Sequence, residues 1–495
     1  MRSALPAYLH AYADSVTRST LGPTRQRHRT GARSGAPRQN VLRSRAPRGT
    51  YAGGMSAVED FTRFPIDETS RARLAESGLR YETLEASDVA GFAAWARADL
   101  RGFLAAEPSE KYLEGMRASL GYRRTTGVWD DSAPQADEPV ATTSSWPAEL
   151  TLPGCTQLRV WAISSVTVSQ ARRRRGIARN LLEGELRTAA ALGIPLAALT
   201  VSESTIYGRF GFGPATFASN LSIDTRRVRW SGPTPSGRVD DVTREQWAGQ
   251  IAGLFDSVRT STVGEIEGWD GMWPRLAGTV HDEEGEGKKL RAVTYTSESG
   301  ELQGAALFKY EGGDHDYASH TLSVEFLRTV SDDAYAALWR FFLEADLVST
   351  VKAEHVAVDE PVRWMLGDQR AATVTTTDHQ WLRILDAKAA LEARSYASPG
   401  VLGLEVEDAL GFADGAFLLT VASDGVGRVE AVERLPEEVP AVRLRVDALS
   451  SLLLGGVAPA ALRAAGVLSE LTEGASAQAA RLLRVSPEPA PGIWY

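Results

Sequence analysis

A glycine-containing turn with four consecutive arginines is the stretch of this sequence best suited to bind an anion. It contains the pattern Arg-x-x-Gly-x-Ala, formed by Arg173, Gly176 and Ala178. If a strand enters this turn and a helix leaves it, the unpaired N–H groups and the dipole of the helix start would favour a pyrophosphate. Small residues would let phosphates approach the main chain, and Arg173 and Arg174 would add positive charge. The four arginines alone would instead favour a solvated helix start.

A second residue suited to chemistry is Tyr207, which precedes the sequence Gly208-Arg209-Phe210. A phenol with an unperturbed pKa of about 10 keeps its proton at neutral pH and can give it to a departing anion. Considered alone, Tyr207 is better explained as an aromatic residue packed at a junction between a strand and a helix. Its position downstream of the arginine turn favours the chemical role.

The elements that must position these residues form a predicted β-α-β unit. Residues 158–168 are rich in Val, Ile, Leu and Trp and predict a strand, and residues 195–201 predict a second one. Between them, residues 175–192 have apolar residues at helical spacing. The apolar positions are Ile177, Leu181, Leu182 and Leu186.

The surrounding sequence predicts two more blocks. Residues 59–130 have a mainly helical pattern, residues 130–154 are polar and predict a loop, and residues 231–237 form a Pro, Ser and Gly cluster that would join two domains. A second αβ block then runs to about Leu385, with a strand around Val324 and a helix over residues 332–343.

The last block, from about Asp386, also combines strands and helices. Residues 416–421 and 442–446 predict strands, and residues 448–454 predict a helix capped by Asp447. A length of 495 residues suggests two to four domains at about 100–200 residues each, and these patterns favour three.

Composition excludes several classes of protein. The chain is 43% hydrophobic and 24% charged, and it has no run of about 18 apolar residues, so we do not expect an integral membrane segment. The single cysteine, Cys155, excludes an internal disulfide framework and fits a cytoplasmic location. A net charge of -9 argues against nonspecific nucleic-acid binding and is compatible with a cationic substrate.

The first 54 residues differ from the rest because they contain many arginines and a single acid, Asp14. This composition predicts disorder. The segment superficially resembles a transit peptide, but a secretory signal would need an apolar region that is missing. The alternative is that translation starts at Met55.

The strand, the arginine turn and the following helix and strand resemble the acetyl-CoA signature of the GCN5-related N-acetyltransferases (GNAT). In that family the turn binds the pyrophosphate, the preceding strand pairs with the pantetheine, and a tyrosine follows the next strand, where this chain has Tyr207. The resemblance implies acetyl-CoA as co-substrate. The implied cofactor-binding residues are Val166, Thr167, Val168, Arg173, Arg174, Arg175, Gly176, Ile177, Ala178, Arg179, Ser202 and Glu203.

Two further stretches, residues 206–216 and residues 381–394, resemble the Eis-type (enhanced intracellular survival) branch of this family, over nearly everything after Met55. The resemblance implies an α/β (α+β) fold. It would have a catalytic GNAT domain at 55–230, a degenerate GNAT domain at 238–385 and a sterol-carrier-protein-like domain at 386–495. It also implies a homohexamer that acetylates primary amines, including several amines of one aminoglycoside, and lysine side chains.

The resemblance assigns two catalytic roles. Tyr207 would be the proton donor for the thiolate, and the carboxylate of the last residue, Tyr495, would be the proton acceptor for the amine. The aromatic ending Gly-Ile-Trp-Tyr fits this role better than it fits a frayed tail, which ought to be polar. We expect the carboxylates of Asp99, Glu107 and Glu110 to be solvated surface groups rather than substrate contacts.

The residues of the other two blocks bear on these implied roles independently of the resemblance. Residues 325–333, where a cofactor turn would lie in the second block, lack the motif and contain acids that would repel a pyrophosphate. The last block could enclose a lipid pocket, but an ordinary apolar core explains it better. A lipid-binding protein, or one that binds acetyl-CoA without turnover, remains as an alternative to the enzyme.

We expect no metal site, because the histidines show no ligand spacing with the single cysteine. The histidines concerned are the five that follow Met55, namely His281, His315, His320, His355 and His379.

Overall fold

A computed structural model of the chain describes residues 61–269, 271–280, 285–313 and 316–495. The predicted arginine-rich extension of residues 1–54 and the alternative start at Met55 lie outside these residues, as do His281 and His315. Within the described part of the chain, no helix is both long and apolar enough to cross a bilayer.

The first part of the chain builds a mixed sheet with helices against it. The helix Val89–Gly102 begins after Asp88, whose carboxylate accepts a hydrogen bond from the N–H of Gly91, and it buries Phe92 and Trp95. In chain order the elements are α1 Glu68–Ala75, β1 Arg80–Leu84, α2 Val89–Gly102, α3 Glu110–Leu120, β2 Arg124–Trp129, β3 Ala141–Leu152, β4 Thr156–Val168, α4 Ile177–Ala191, β5 Leu196–Thr200, α5 Ser204–Tyr207, β6 Gly213–Pro214 and β7 Phe217–Asp224.

The second part repeats a sheet with a crossover helix. Its long helix α6 begins at a capping box in which Thr243 and Gln246 each bond the other's main-chain N–H. Its elements are β8 Arg238–Val242, α6 Arg244–Arg259, α7 Met272–Leu276, β9 Leu290–Thr296, β10 Leu302–Glu311, β11 His320–Thr329, α8 Asp332–Leu343, β12 Val348–Val356, β13 Ala372–Asp378 and β14 Gln380–Ile384.

The last part forms a five-stranded sheet in the order β17-β16-β15-β18-β19. Its elements are α9 Ala387–Glu392, β15 Gly400–Glu407, β16 Gly415–Val421, β17 Gly427–Val432, β18 Ala441–Arg445, α10 Val446–Leu452, α11 Pro459–Ala464, β19 Leu468–Glu470 and α12 Ala475–Leu483.

The first two sheets exchange strands. The first sheet has the order β1-β2-β3-β4-β5-β14-β6, so β14 from the second part lies between β5 and β6 and pairs Leu382 with Ala198. The second sheet has the order β13-β7-β12-β11-β10-β9-β8, so it takes β7 from the first part. The predicted domains 55–230 and 238–385 therefore do not coincide with the two sheets, because each sheet contains one strand from the other segment.

The three parts share one core. One face of the first sheet packs on α4, where Leu182 and Leu186 join Trp161 in an apolar cluster. The opposite face carries Trp146, which belongs to a larger cluster with side chains of the second and third parts. Buried apolar contacts are continuous between the three parts, which therefore form one body.

The structure differs from three sequence predictions about elements. The polar stretch of residues 130–154 contains β3, because its Thr and Ser side chains are satisfied inside the fold, as where Ser145 Oγ donates to Glu185 at 2.6 Å. The mainly helical segment of residues 59–130 also contains β1 and β2. The helix expected after an Asp447 cap begins at Val446, with Arg445 at the capping position.

Candidate active site

Two neighbouring parallel strands separate at the centre of the first sheet. The ladder between β4 and β5 pairs Val160 with Leu196 and ends where Ala162 pairs with Ala198. On its other side, β4 continues along β3 as far as Val168. We call the opening between residues 163–168 of β4 and residues 199–200 of β5 the fork. An unpaired strand edge of this kind offers main-chain N–H and C=O groups to a ligand.

The arginine turn lies at the end of the fork strand β4. Gly176 caps α4 with φ of 76°, a left-handed conformation that favours glycine, and no side chain bonds the first N–H groups of the helix. A Cβ atom at Gly176 would have only Asn180 Nδ2 nearby, at 3.8 Å, so the space above the turn is open. An uncapped helix start without an acid in its first turn fits a pyrophosphate.

The arginines of the turn divide into two groups. Arg172 and Arg175 both donate to Asp130 Oδ2, at 2.8 and 3.2 Å. The hydroxyl of Ser132, which donates to Oδ1, and these two arginines hold the pKa of Asp130 far below its usual range. The side chains of Arg173 and Arg174 are exposed and form no hydrogen bond or ion pair with other residues that the structure describes. The second pair therefore remains available to an anion, while the first pair fixes the loop.

The other predicted cofactor residues surround the fork. Val166 packs beside the cluster that contains Tyr207, and Val168 packs near Ile177 at the start of α4. Thr167 faces the opposite side of the sheet, where its hydroxyl lies 2.5 Å from that of Thr142. Ala178 and Arg179 follow in the first turn of α4, and Ser202 and Glu203 are exposed between β5 and α5.

Tyr207 ends α5 and is 6% exposed, with its ring edge-on to Phe212 at 6.1 Å. Burial raises the pKa of Tyr207 to about 12, and the nearby charge of Glu203 acts in the same direction. The phenol therefore carries its proton throughout the neutral range.

The last residue of the chain lies at the other strand of the fork. Thr200 Oγ1, at the end of β5, donates to the main-chain oxygen of Tyr495 at 2.8 Å. The Tyr495 hydroxyl donates to Gln380 Oε1 at 2.9 Å, and its ring is edge-on to Trp146 at 6.0 Å. The residue is 7% exposed. The end of the chain is thus fixed on the face of the sheet that carries Trp146.

The second domain holds the tail that leads to Tyr495. The carboxylate of Glu265 accepts the N–H of Gly492 at 2.9 Å and is paired with Arg328 at 3.1 Å. His379 Nε2 lies 3.1 Å from the main-chain oxygen of Ile493. The indole of Trp494 packs against two histidine rings at centroid distances of 5.4 and 5.0 Å, those of His355 and His379.

The prediction that Asp99 is solvated was wrong. Asp99 is 0% exposed, its Oδ1 lies 3.4 Å from Thr142 Oγ1, and its Oδ2 is buried without a hydrogen-bond partner. Burial raises the pKa of Asp99 to about 8. The sequence contained a signal for this, because Asp99 lies on the same helical face as Phe92 and Trp95. Glu107 and Glu110 are exposed, as predicted.

Sequence reasoning missed an aromatic enclosure around a buried arginine. The guanidinium carbon of Arg123 lies 3.7 Å from the ring centre of Trp146 and 5.1 Å from that of Trp269. Its Nε donates to the hydroxyl of Tyr122 at 3.2 Å. No local pattern distinguishes this arginine from a surface residue, because Trp146 and Trp269 come from distant segments.

The corresponding crossover of the second domain differs at the turn. The α8 helix is capped by its own Ser331 hydroxyl, which accepts the N–H of Ala334 at 3.2 Å. Asp332 and Asp333 occupy its first turn, and Asp333 accepts hydrogen bonds from Tyr295 and Ser236. A capped helix start with two carboxylates disfavours a pyrophosphate.

Comparisons with known protein families match all three parts. Residues 81–215 and 264–384 each match an acetyltransferase (GNAT) domain model, and residues 387–494 match a sterol carrier protein domain model. The predicted architecture is confirmed: two tandem GNAT-like domains, the second degenerate, and a domain similar to sterol carrier protein.

Individual relatives agree with these matches. An uncharacterized N-acetyltransferase of Streptomyces avermitilis is 35% identical over 405 residues, which are 80% of this chain and 94% of that protein. N-acetyltransferase Eis of Mycobacterium bovis is 30% identical over 68% of this chain and 81% of its own length. The crystal structure of Eis1 from Mycobacterium abscessus superposes with a TM-score of 0.69 at 25% identity, covering 84% of this chain and 100% of that one.

Proposed function

Since the chain belongs to the Eis-type N-acetyltransferases of the GNAT superfamily, we propose that it transfers acetyl from acetyl-CoA to primary amines of a cationic acceptor. The observation that carries the proposal is the Thr200 to Tyr495 hydrogen bond, which joins the end of the chain to the fork. The helix α4, with its uncapped start, packs on the same sheet. The proposed site would combine an anion-binding turn with a carboxylate and a protonated phenol.

Members of the GNAT superfamily use acetyl-CoA, which when bound would supply the acetyl group as a thioester. In this chain, the N–H groups from Ile177 onward and the side chains of Arg173 and Arg174 would hold the pyrophosphate. Gly176 leaves the space that the phosphates need. The free edge of β4 at Val166 and Val168 would pair with the pantetheine. These assignments rest on the open turn and on the fork.

Tyr495 and Tyr207 would divide the proton chemistry. The terminal carboxylate of Tyr495 takes a proton from the attacking amine, and the hydroxyl of Thr200 keeps that carboxylate oriented. Tyr207 holds the proton that the departing thiolate requires, which its raised pKa of about 12 supports. The ring of Tyr495, packed against Trp146, helps to exclude water from this side of the fork.

The finer parts of the proposal concern the acceptor and the assembly. Acceptors would be an aminoglycoside, a polyamine or a lysine side chain, acetylated at one or several positions. The terminal carboxylate of Tyr495, which the Thr200 hydroxyl holds at the fork, supports a cationic acceptor. We also propose a homohexamer, by analogy with the family, and a cytoplasmic location, which the exposed, unpaired Cys155 supports.

Free-thiol release from acetyl-CoA tests the proposal across aminoglycosides, polyamines, lysine peptides and arylamines. We expect turnover with multi-amine cations and successive additions to one acceptor in mass spectra. Acetyl-CoA binding without thiol release from any amine would instead favour a binding protein. Arylamines preferred by more than about tenfold in kcat/KM would contradict the cationic acceptor.

A further inference from the structure

Arg123 is a buried charge that the proposed reaction does not use. Its side chain is 5% exposed, and burial lowers the pKa of its guanidinium. A buried cation costs several kcal/mol unless a partner compensates it, so such groups are normally paired. Among the described residues, the only hydrogen bond of the guanidinium is from Nε to the Tyr122 hydroxyl.

Two charged side chains that the structure describes near Arg123, those of Asp99 and Arg275, do not neutralise it. Asp99 is close enough to interact electrostatically, but the two groups form no ion pair within 4.0 Å. With a pKa raised to about 8 by burial, Asp99 is mostly protonated at pH 7. Arg275, from α7 of the second domain, adds a second positive charge nearby. Neither of these two side chains therefore offers the guanidinium a counter-charge.

The surroundings of Arg123 also orient it. The Cζ atom of the guanidinium lies 3.7 Å from the ring centre of Trp146 and 5.1 Å from that of Trp269. Because the Tyr122 bond occupies Nε, both Nη atoms remain without a protein acceptor in the described part of the chain. A planar pair of N–H donors matches the two oxygens of a carboxylate.

This enclosure adjoins the proposed acceptor side of the fork. Trp146 touches both Arg123 and the ring of Tyr495, and it lies in register with Ala162, the residue at which β4 and β5 separate. We infer that Arg123 forms a carboxylate-binding subsite, so that the preferred acceptor is an amine that also carries a carboxylate. This inference rests on the proposed function and selects, among its acceptors, molecules resembling a basic amino acid.

Matched acceptors test the subsite directly. L-lysine and cadaverine have the same carbon chain and terminal amine, but only lysine carries a carboxylate; lysinamide replaces the carboxylate with a neutral amide. We expect kcat/KM for lysine to exceed that for cadaverine and lysinamide by more than about 100-fold, because the buried guanidinium would remain unpaired with the latter two. Equal rates for the three acceptors would overturn the inference. Thiol release from none of them or any other amine would reject the proposed function instead.

Variants of Arg123 assign the preference to this side chain. Arg123→Met removes the charge but keeps apolar contact with Trp146, and it should reduce the lysine-to-cadaverine ratio to near one. Arg123→Lys keeps the charge without the paired donors and should retain part of the ratio. Arg97→Met, which removes a charge paired with Glu110 on the surface of α2, is the control and should retain all of it.

Binding of acetyl-CoA should be unchanged in these variants, since Arg123 does not contact the turn. A preference for lysine that persists in Arg123→Met would show that another group binds the carboxylate. Phosphoethanolamine compared with ethanolamine distinguishes the type of anion: a preference of the same size there would replace a carboxylate subsite by a general oxyanion site. If Arg123→Met fails to fold, the comparison of acceptors in the parent protein and in Arg123→Lys still decides the matter.

Discussion

The hydroxyl of Thr200 donates a hydrogen bond of 2.8 Å to the main-chain oxygen of Tyr495, across 295 residues of sequence. The bond connects the strand that lines the fork with the tail that the second domain holds. The position of the last residue therefore depends on this bond to the first sheet and on the contacts that Glu265 and the two histidines of the second domain make with the tail.

The length of the chain at its end should be critical. Deleting Tyr495 would move the carboxylate by up to about 3.5 Å, and a displacement of about 1 Å can cost roughly 100-fold in rate. We expect a protein without Tyr495, and one with an added C-terminal glycine, to lose at least that factor in kcat while acetyl-CoA affinity measured by calorimetry stays unchanged. Amidating the natural terminus removes only the charge, and full activity of that amide would exclude Tyr495 as the proton acceptor.

Thr200→Val should reduce kcat and move the acid limb of its pH profile to higher pH. A hydrogen bond to a carboxylate stabilises the charged form, so its loss makes protonation easier. Thr225→Val removes a similar bond, of 2.6 Å to the main-chain oxygen of Val348, away from the site and is the matched control. An unchanged pH profile in Thr200→Val would separate this bond from the chemistry.

Tyr207→Phe should bind acetyl-CoA nearly normally and lose about 100- to 10,000-fold in turnover, because a positioned acid acts mainly in the transition state. With a pKa of about 12, the phenol should produce no basic limb below pH 10 in the parent enzyme. Tyr396→Phe, at another buried tyrosine whose hydroxyl bonds Leu391, tests the effect of a lost buried hydroxyl alone. Parent-like turnover of Tyr207→Phe from pH 6 to 9 would reduce Tyr207 to a packing role.

Gly176→Glu should lower the affinity for acetyl-CoA by about 100-fold or more. The substitution places a carboxylate where the helix start favours an anion, and it strains the φ of 76°. Gly193→Glu gives the same strain at the opposite end of α4, at φ of 70° with open space around it. Calorimetry should therefore find normal affinity in Gly193→Glu; a similar loss in both variants would show that backbone strain, rather than charge at the turn, is responsible.

Acid should weaken the anchoring of the tail. Burial lowers the pKa of His355 to about 4 and that of His379 to about 3, while the unfolded chain titrates near 6.5. Between pH 6.5 and these values the unfolded state binds protons that the folded state does not. The free energy of unfolding therefore decreases as the pH is lowered through this range, and these two histidines do not affect it above pH 6.5. His379→Gln can still donate a hydrogen bond to Ile493. In denaturant unfolding, its free energy of unfolding should decrease less from pH 8 to pH 5 than that of the parent protein. An identical decline would place the acid sensitivity elsewhere.

The sequence predicted what local patterns can encode. The apolar spacing after Gly176 anticipated α4, and the segment Asp332–Leu343 was predicted with its observed bounds, because period and capping residues are local signals. Burial of Asp99 could have been predicted from its helical face. The positions of Arg123 and Trp269 could not, since they depend on how the second domain packs against the first.

The strand exchange could not be predicted either, because it depends on pairing between segments that are distant in sequence. Nothing near Gln380–Ile384 indicates that these residues pair with Leu196–Thr200 rather than within their own block. The polar composition of β3 was also misleading, because hydroxyl-rich strands are stable when their partners lie inside the protein, and those partners are distant in sequence.

The exchange of β7 and β14 imposes an order on protein synthesis. While the ribosome makes the second part of the chain, β5 has no partner on one edge, since β14 has not yet been translated. At about 5–20 residues per second this interval lasts on the order of tens of seconds. An open strand edge invites pairing with other chains. Nascent chains of this protein therefore expose an unpaired strand edge during this interval, and splitting the gene between the two acetyltransferase-like parts would make that exposure permanent.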